Sequence, residues 1–308
     1  MAFYQSSLYN PELHIGLNLT RPNMPHELPT LIDDNLITEE IGDWGQEKYR
    51  LLNLYGQMFS ASMKNKWECR VYIDLFAGSG RSRIKGTNRI VAGSPLIALG
   101  VDPVFDKYIL CEKDADKLRA LQTRVSRDHP KAKVEFQSGD ANEHVDQIIK
   151  RIPQHGKDFK VLSFCFVDPY NLKDLAFRTI DRLSTRFIDF LVLIATDMDA
   201  ARNVSSYEVS QNTVVERFLG LHDWRVEWRV AEANRESFSS YLMKRFSDQM
   251  EARRYIRVEL AQTRLVRSTE KNLPLYRLAL FSRSERGKSH WEQALKYSDD
   301  QLGFSFPN

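Results

Sequence analysis

Residues 71–80 read VYIDLFAGSG and decide the fold of this chain. A short apolar run ends abruptly in the sequence Ala77-Gly78-Ser79-Gly80. Continuous apolar runs are typical of strands buried in a parallel sheet, and a Gly-x-Gly sequence directly after such a strand lets a ligand approach the backbone closely. In doubly wound α/β folds the ligand crevice lies at the carboxyl ends of the strands. Residues 74–80 are therefore predicted to form a nucleotide or nucleoside site.

The composition is that of an ordinary globular protein. The 308 residues are 42% hydrophobic and 11% aromatic, which is sufficient for a sizeable core. The net charge of +3 excludes a polycation. A mild basic excess from Arg225 onward fits either occasional phosphate contacts or plain solubility.

Targeting signals and metal motifs are not recognisable in the sequence. The N-terminus lacks the basic and apolar regions of a secretory signal, and no apolar run approaches the roughly 18 residues of a membrane span. Cys69, Cys111 and Cys165 show no CxxC spacing and lie in or beside apolar runs, so we expect buried free thiols. These features predict a cytoplasmic protein without a metal.

Three parts follow one another along the chain. Residues 1–42 contain four prolines and little periodicity, which predicts an extended N-terminal arm or a partly disordered segment. Residues 43–298 are predicted to form one α/β domain that begins with an amphipathic helix from Trp44 to about Lys66. Residues 299–308 are a short C-terminal tail.

Within the domain, five predicted strands alternate with helices, and each strand ends in a polar or glycine-rich loop. They span about 70–76, 107–112, 133–137, 161–167 and 190–195. The apolar runs Tyr255–Val266 and Leu275–Phe281 are predicted to form an antiparallel hairpin. The pattern predicts a Rossmann-like, mostly parallel, doubly wound sheet with this hairpin at its C-terminal edge.

The glycine loop departs from a dinucleotide site. That site requires G-x-G-x-x-G, but position 83 is Arg. The ribose-binding acidic residue is expected about 20 residues later. Glu112 comes later still, because a predicted loop over residues 81–93 is inserted between the glycine loop and Glu112. The helix after this loop is expected to have Ser94 as its N-cap. Glu112 nevertheless ends the second strand, and Asp140 follows the third, where it could contact an adenine amino group.

Acidic residues at the ends of three successive strands resemble the S-adenosylmethionine site of class I methyltransferases. Alternatives remain open: the glycines could form a simple tight turn, Glu112 a solvated helix start, and Asp140 an N-cap. Asp74 lies in an apolar run, where an unpaired carboxylate is costly; it is expected to accept hydrogen bonds from the glycine loop or to reach the methionine amino group. The predicted cofactor-binding residues are Asp74, Phe76, Ala77, Gly78, Gly80, Glu112, Lys113, Gly139, Asp140, Ala141 and Asp168.

The loop after the fourth strand carries the predicted catalytic residues Asp168, Pro169 and Tyr170. It resembles the D-P-P-Y tetrad of amino-methyltransferases that act on bases, although only one proline is present. In that tetrad the polar residue holds the target amino group in line for transfer, and the aromatic ring stacks on a flipped base. Asp-Pro also commonly starts a turn.

Weaker candidates are charged residues in exposed-looking segments. Asp197 and Asp199 follow the fifth strand and could face a substrate or lie in a solvated loop. Two basic groups could contact phosphates or form a solvated surface. They are Arg81, Arg83, Lys85 and Arg89 in the first group, and Arg253, Arg254, Arg257, Arg264 and Arg267 in the second.

From about residue 40 to residue 297 the chain resembles the three-Cys-motif partner family. The resemblance rests on Trp44 with Lys48, YIDLFAG at 72–78, GSPLIAL at 93–99, Gly139-Asp140 with Asn142, VDPY at 167–170, and LYRL at 275–278 with Gly287 and Trp291. The family more often has Pro at Ser79 and Phe-Gly at Tyr170-Asn171.

The resemblance implies a class I methyltransferase fold, S-adenosylmethionine as cofactor, and a separate partner protein with a three-cysteine, radical-type motif. The expected activity is methylation of an amino nitrogen, most plausibly on a DNA or RNA base. The alternative is a cofactor-binding but catalytically silent assembly module. An NAD-dependent oxidoreductase is disfavoured by Arg83.

Overall fold

A computed structural model of the chain describes residues 28–196 and 203–303. At its centre lies a seven-stranded sheet. Its strands are β2 (Cys69–Asp74), β5 (Lys107–Glu112), β6 (Val134–Ser138), β7 (Val161–Val167), β8 (Ile188–Ile194), β9 (Arg264–Arg267) and β10 (Pro274–Phe281). β2 and β8 are buried along their whole length, as their apolar sequences predict.

The sheet has the strand order β6-β5-β2-β7-β8-β10-β9. Neighbouring strands are parallel except for β10, which runs antiparallel to both β8 and β9. Insertion of one antiparallel strand into a doubly wound sheet at this edge is the class I methyltransferase architecture, so the predicted fold is confirmed. The carboxyl ends of β2, β5, β6 and β7 meet at one edge of the sheet.

The helices pack in two groups. The bounds of the helices are α1 (Gly45–Met63), α2 (Ser94–Leu99), α3 (Ala115–Asp128), α4 (Val145–Arg151), α5 (Phe177–Leu183), α6 (Val204–Glu208), α7 (Val214–Leu219), α8 (Trp224–Ala233), α9 (Phe238–Glu251) and α10 (Glu285–Gly303). In the first group, α1 packs against α2 and α10. In the second group, α4 packs against α5, α5 packs against α7, and both α7 and α8 pack against α9. α1 buries Tyr55 and Phe59 against Phe164 of β7, with ring centroids 4.9 and 5.6 Å from the Phe164 centroid.

Residues 81–93 are not the predicted long loop. They form a hairpin of β3 (Arg81–Ile84) and β4 (Ile90–Ala92), and β3 also pairs in parallel with β1 (Glu39–Ile41). The apolar residues Ile84, Ile90 and Val91 are buried, and this burial holds the short strands in place. The charged residues between them concealed the strand pattern.

Three other boundaries differ from the predictions. In the run Tyr255–Val266 only the end belongs to a strand, because β9 starts at Arg264 after a 3-10 turn at Leu260–Gln262. α10 continues to Gly303, past the predicted start of the tail. Ser94 is the first residue of α2, and Gly93 is its N-cap.

Two expectations about single features can be compared directly with the structure. Cys69, Cys111 and Cys165 are free and buried, as predicted. Among the residues from 28 to 196 and from 203 to 303, no helix combines the length and the apolar character needed to cross a bilayer.

Candidate active site

The glycine loop between β2 and β3 requires glycine at two positions. Gly78 and Gly80 have φ values of +60° and +87°, which other residues rarely adopt. A Cβ on Gly80 would lie 2.8 Å from Leu121 Cδ1 of α3. The backbone of Gly93 also approaches this loop, since its N–H donates to the Gly80 carbonyl at 2.8 Å. The loop is therefore fixed by close packing on both sides.

Four successive backbone N–H groups of the glycine loop have acceptors within the chain itself. Three of the acceptors are carboxylates. Phe76 donates to Asp74 Oδ1 (3.1 Å), Ala77 to the Cys111 carbonyl (2.9 Å), Gly78 to Glu112 Oε2 (2.7 Å) and Ser79 to Glu39 Oε2 (3.4 Å). The loop thus faces a concentration of negative charge supplied by the protein.

Asp74 lies behind the loop and is fully buried. It accepts hydrogen bonds from Phe76 N and from the Tyr72 hydroxyl, the latter at 3.0 Å, and it is also bonded by the Ser94 side chain. Burial raises the pKa of Asp74 to about 7, against these hydrogen bonds, which lower it. The contact with Phe76 N is the backbone role expected for Asp74.

Glu112 connects the end of β5 to the glycine loop. Its Oε2 accepts from Gly78 N, and its Oε1 accepts from Asp114 N at 2.8 Å. A carboxylate offers about four acceptor positions, so both oxygens retain capacity for ribose hydroxyls. Asp114, not Glu112, is the N-cap of α3 and accepts from the N–H groups of Asp116 and Lys117.

Asn142 joins the loops that follow β6 and β7. Its side-chain amide donates to Asp140 Oδ1 and to the Asp174 carbonyl, both at 2.8 Å. Its Oδ1 accepts from Ala176 N at 2.9 Å and from the Thr179 hydroxyl at 2.7 Å. Asp140 does not cap α4, which begins only at Val145.

Asp168 forms an ion pair with Lys48 of α1, 120 residues away in sequence. Lys48 Nζ lies 2.6 Å from Asp168 Oδ2, and the two side chains are only 14% and 12% exposed. Burial is the largest single influence on the pKa of Lys48 and lowers it, but Asp168, Tyr49 and Tyr276 together raise the pKa above its usual value, so Lys48 is charged. Tyr170, by contrast, is 85% exposed.

The sequence did not reveal the pair. Lys48 stands out as a lysine among the apolar positions of the first helix and as one of the residues that carry the family resemblance, but nothing in the sequence indicated which residue it contacts.

A cavity of about 960 Å³ brings most of the predicted residues together. Asp74 and Gly78 lie behind its wall, not in it. Sequence reasoning missed the contribution of residues 37–42, Lys48 and Tyr276 to the wall. The predicted residues in the wall are Phe76, Ala77, Gly80, Glu112, Lys113, Gly139, Asp140, Ala141, Asp168, Pro169 and Tyr170.

The segment from residue 28 to residue 41 is bound to the domain by arginines. Arg124 of α3 is fully buried and binds both carboxylate oxygens of Asp34, at 2.7 and 3.0 Å. It also donates to the carbonyls of Ile37 and Ser79. The hydrogen bond from Arg124 holds the pKa of Asp34 far below its usual range, against the effect of burial. Part of the predicted arm therefore forms one side of the cavity.

Several arginines considered for phosphate contacts are engaged within the chain. Arg81 donates to the Ile32 carbonyl and pairs with Asp34, and Arg83 pairs with Asp33. In the C-terminal group, Arg253, Arg257 and Arg264 each pair with acidic residues. Asp197 and Asp199 lie outside the described residues. Within the described ranges, no group of three or more His, Cys, Asp or Glu is arranged to hold a metal ion.

No family model and no curated protein matches this chain. Solved structures with a similar arrangement include a DUF519 protein of Legionella pneumophila, at 12% identity and a TM-score of 0.44 over 82% of this chain and 91% of that one. They also include TYW2 of M. jannaschii in complex with AdoMet, at 11% identity and a TM-score of 0.40 over 79% of this chain and 77% of that one. An O-methyltransferase of Bacillus cereus in complex with SAH has 11% identity and a TM-score of 0.40 over 80% of this chain and 84% of that one. Such distant likeness says nothing about activity, and the fold assignment rests on the strand order.

Proposed function

We propose that the protein is an S-adenosylmethionine-dependent methyltransferase that acts on an amino nitrogen of a nucleic-acid base. The observation that carries this proposal is a single cavity with two chemically different ends. Glu112 and Asp140 lie at the ends of β5 and β6, whereas Asp168, paired with Lys48, follows β7.

The carboxylates at the first end suit an adenosyl sulfonium ligand. Glu112 has acceptor capacity for ribose hydroxyls, and Asp140 can accept from an adenine amino group. The carboxylates of Glu39 and Glu112 at the glycine loop favour the positive charges of a sulfonium and an amino group. When bound, the cofactor supplies an electrophilic methyl group.

The second end suits an amino acceptor. With Lys48 on Oδ2, Asp168 can offer Oδ1 to an N–H of the target, so the nitrogen lone pair points toward the cofactor. The charged Lys48 fixes the orientation of Asp168, which is positioning catalysis. The exposed ring of Tyr170 at the cavity mouth is suited to stack on a base.

The first test separates binding from transfer. Calorimetry should show that the protein binds S-adenosylmethionine and its demethylated product more tightly than NAD. A preference for NAD, or no binding of any of the three by a folded sample, would overturn the proposal. Tritiated-methyl cofactor should then label DNA or RNA of the host, and label found only in protein would overturn the base target. Asp168→Ala should abolish labelling, whereas Asp146→Asn, which removes an exposed carboxylate of α4 that pairs with Arg182 of α5, should not.

The other candidate function is a nucleoside-binding assembly module for a three-cysteine partner protein. The ion pair that satisfies Asp168 is the observation that favours it. This function predicts cofactor binding without transfer, with or without the partner, and cofactor affinity that is indifferent to Asp168→Ala.

A further inference from the structure

Glu39 lies against the glycine loop, which in dinucleotide sites is the part that a phosphate approaches. There the glycines let the ligand approach the backbone, and the pyrophosphate lies at the N-terminus of the following helix. In this chain the loop continues into β3 instead of a helix. The Glu39 carboxylate lies where a ligand would: Oε2 is 2.1 Å from the point where a Cβ on Gly78 would stand.

The loop also has little donor capacity for an incoming anion. The N–H groups of residues 76 to 79 already donate to Asp74, Cys111, Glu112 and Glu39. Backbone N–H groups of this kind form the anion-binding concavities of phosphate sites. In this chain, acceptor groups of the protein itself take the place of the anion. A phosphate would therefore meet N–H donors that are already occupied, and carboxylates of like charge.

Two further contacts hold Glu39 at this position. Its strand, β1, pairs with β3 directly after the loop, with Glu39 opposite Ser82. Lys117 of α3 binds Glu39 Oε1 at 2.5 Å, which leaves Oε2 directed at the loop. The carboxylate is therefore fixed between α3, the loop and the cavity.

We propose that Glu39 is a specificity-determining residue that excludes phosphate-bearing nucleotides and admits adenosyl ligands whose substituent carries no net negative charge. This deepens the proposed function and rests on it for the natural ligand. Exclusion of phosphate is a property of Glu39 and can be measured separately.

The experiment compares adenosine with ADP, which differ only in the diphosphate, by calorimetry on the full chain. The wild type should bind ADP more weakly than adenosine. Glu39→Gln keeps the side-chain shape and removes the charge, so it should raise the affinity for ADP relative to adenosine about 10-fold or more, because like charges held close together repel each other. Asp33→Asn removes one carboxylate from the same N-terminal segment but away from the cavity, and should leave the difference as in the wild type.

The outcomes separate the two proposals. The role of Glu39 would be overturned if the ratio of ADP affinity to adenosine affinity were the same in Glu39→Gln as in the wild type. A wild type that binds ADP more tightly than adenosine would overturn it as well. Loss of adenosine binding in both Glu39→Gln and Glu39→Asp would make Glu39 structural and overturn it too. If the wild type excludes ADP but binds S-adenosylmethionine no more tightly than adenosine, only the proposed methyltransferase activity is contradicted. If the wild type binds no adenosine, both the methyltransferase proposal and the role of Glu39 are overturned.

Discussion

At the scale of single residues, the Lys48–Asp168 pair is weak evidence for stability. Removing two charges from water is costly, and a buried ion pair is often no more stable than apolar residues of the same volume. The two side chains are only 14% and 12% exposed, so both are more than four-fifths buried. The pair fixes a carboxylate in the cavity wall, which is the arrangement that the proposed role of Asp168 toward a ligand requires.

A double-mutant cycle tests whether the two charges act as a unit. Lys48→Met and Asp168→Leu should each destabilise the fold by about 3 kcal/mol, because each leaves one charge buried without its partner. The double variant should be clearly more stable than the sum of the two effects predicts. Urea unfolding measures all four proteins. Strictly additive losses would show that the pair is not coupled.

Asp74 should make the stability depend on pH. Its pKa in the folded protein is about 7, because of burial, whereas an aspartate in an unfolded chain titrates near 3.9. The folded state therefore binds this proton more tightly, and its stabilising effect is lost as the pH rises toward and through 7. Asp189, whose pKa is raised by burial to about 6, acts in the same direction.

The variant Asp74→Asn isolates the contribution of Asp74. Between pH 5 and pH 8 the wild type should lose about 2–3 kcal/mol more unfolding free energy than the variant. Urea titrations at both pH values measure this difference. Parallel pH dependences in the two proteins would mean that Asp74 is not protonated in the folded protein at pH 5.

At the scale of elements, residues 28–41 form part of the site through contacts with α3 and β3. Arg124 makes several of these contacts, since its buried guanidinium binds the Asp34 carboxylate and the Ile37 carbonyl. It also donates to the Ser79 carbonyl. It thereby connects the N-terminal segment to the glycine loop itself. A substitution of Arg124 should consequently affect both the N-terminal segment and the glycine loop.

Arg124→Met should release this segment. We expect faster amide hydrogen exchange over residues 34–41 and a loss of about 3 kcal/mol of stability, because a buried carboxylate loses its bidentate partner. Arg127→Met is the matched control: Arg127 also contacts Asp34, but it is 44% exposed, so its loss should cost less than about 1 kcal/mol. Equal effects of the two substitutions would refute the role assigned to Arg124.

The elements also show what the sequence can and cannot predict. The strands β2, β5, β6 and β7 and their terminal loops follow from local patterns, so Glu112, Asp140 and Asp168 could be placed at one sheet edge. Glu39 and Lys48 could not, because their partners lie far away in sequence and ion pairs leave no periodic signal. The β3–β4 hairpin was hidden because its strands are short and mostly polar apart from the three apolar residues Ile84, Ile90 and Val91.

At the scale of the whole molecule, the arginines mostly serve the protein itself. Arg257 pairs with Asp248, Glu251 and Glu259, and Arg264 pairs with Glu47 and Asp299. With a net charge of only +3, little general attraction for a polyanion remains. Recognition of a nucleic acid would depend on the cavity mouth, where Lys113 is 59% and Tyr170 85% exposed.

The extent of the functional unit can be tested by two truncations. The boundary predicted from the sequence, at residue 43, would remove Glu39, the Arg124 partners Asp34 and Ile37, and residues 37–42 of the cavity wall. A chain that starts at residue 43 should therefore lose adenosine binding and unfold at a lower temperature. A chain that starts at residue 28 retains every site contact described above and should bind adenosine like the full chain. Calorimetry and thermal unfolding compare the three proteins, and full adenosine affinity in the shorter truncated chain would show that the N-terminal segment is dispensable to the site.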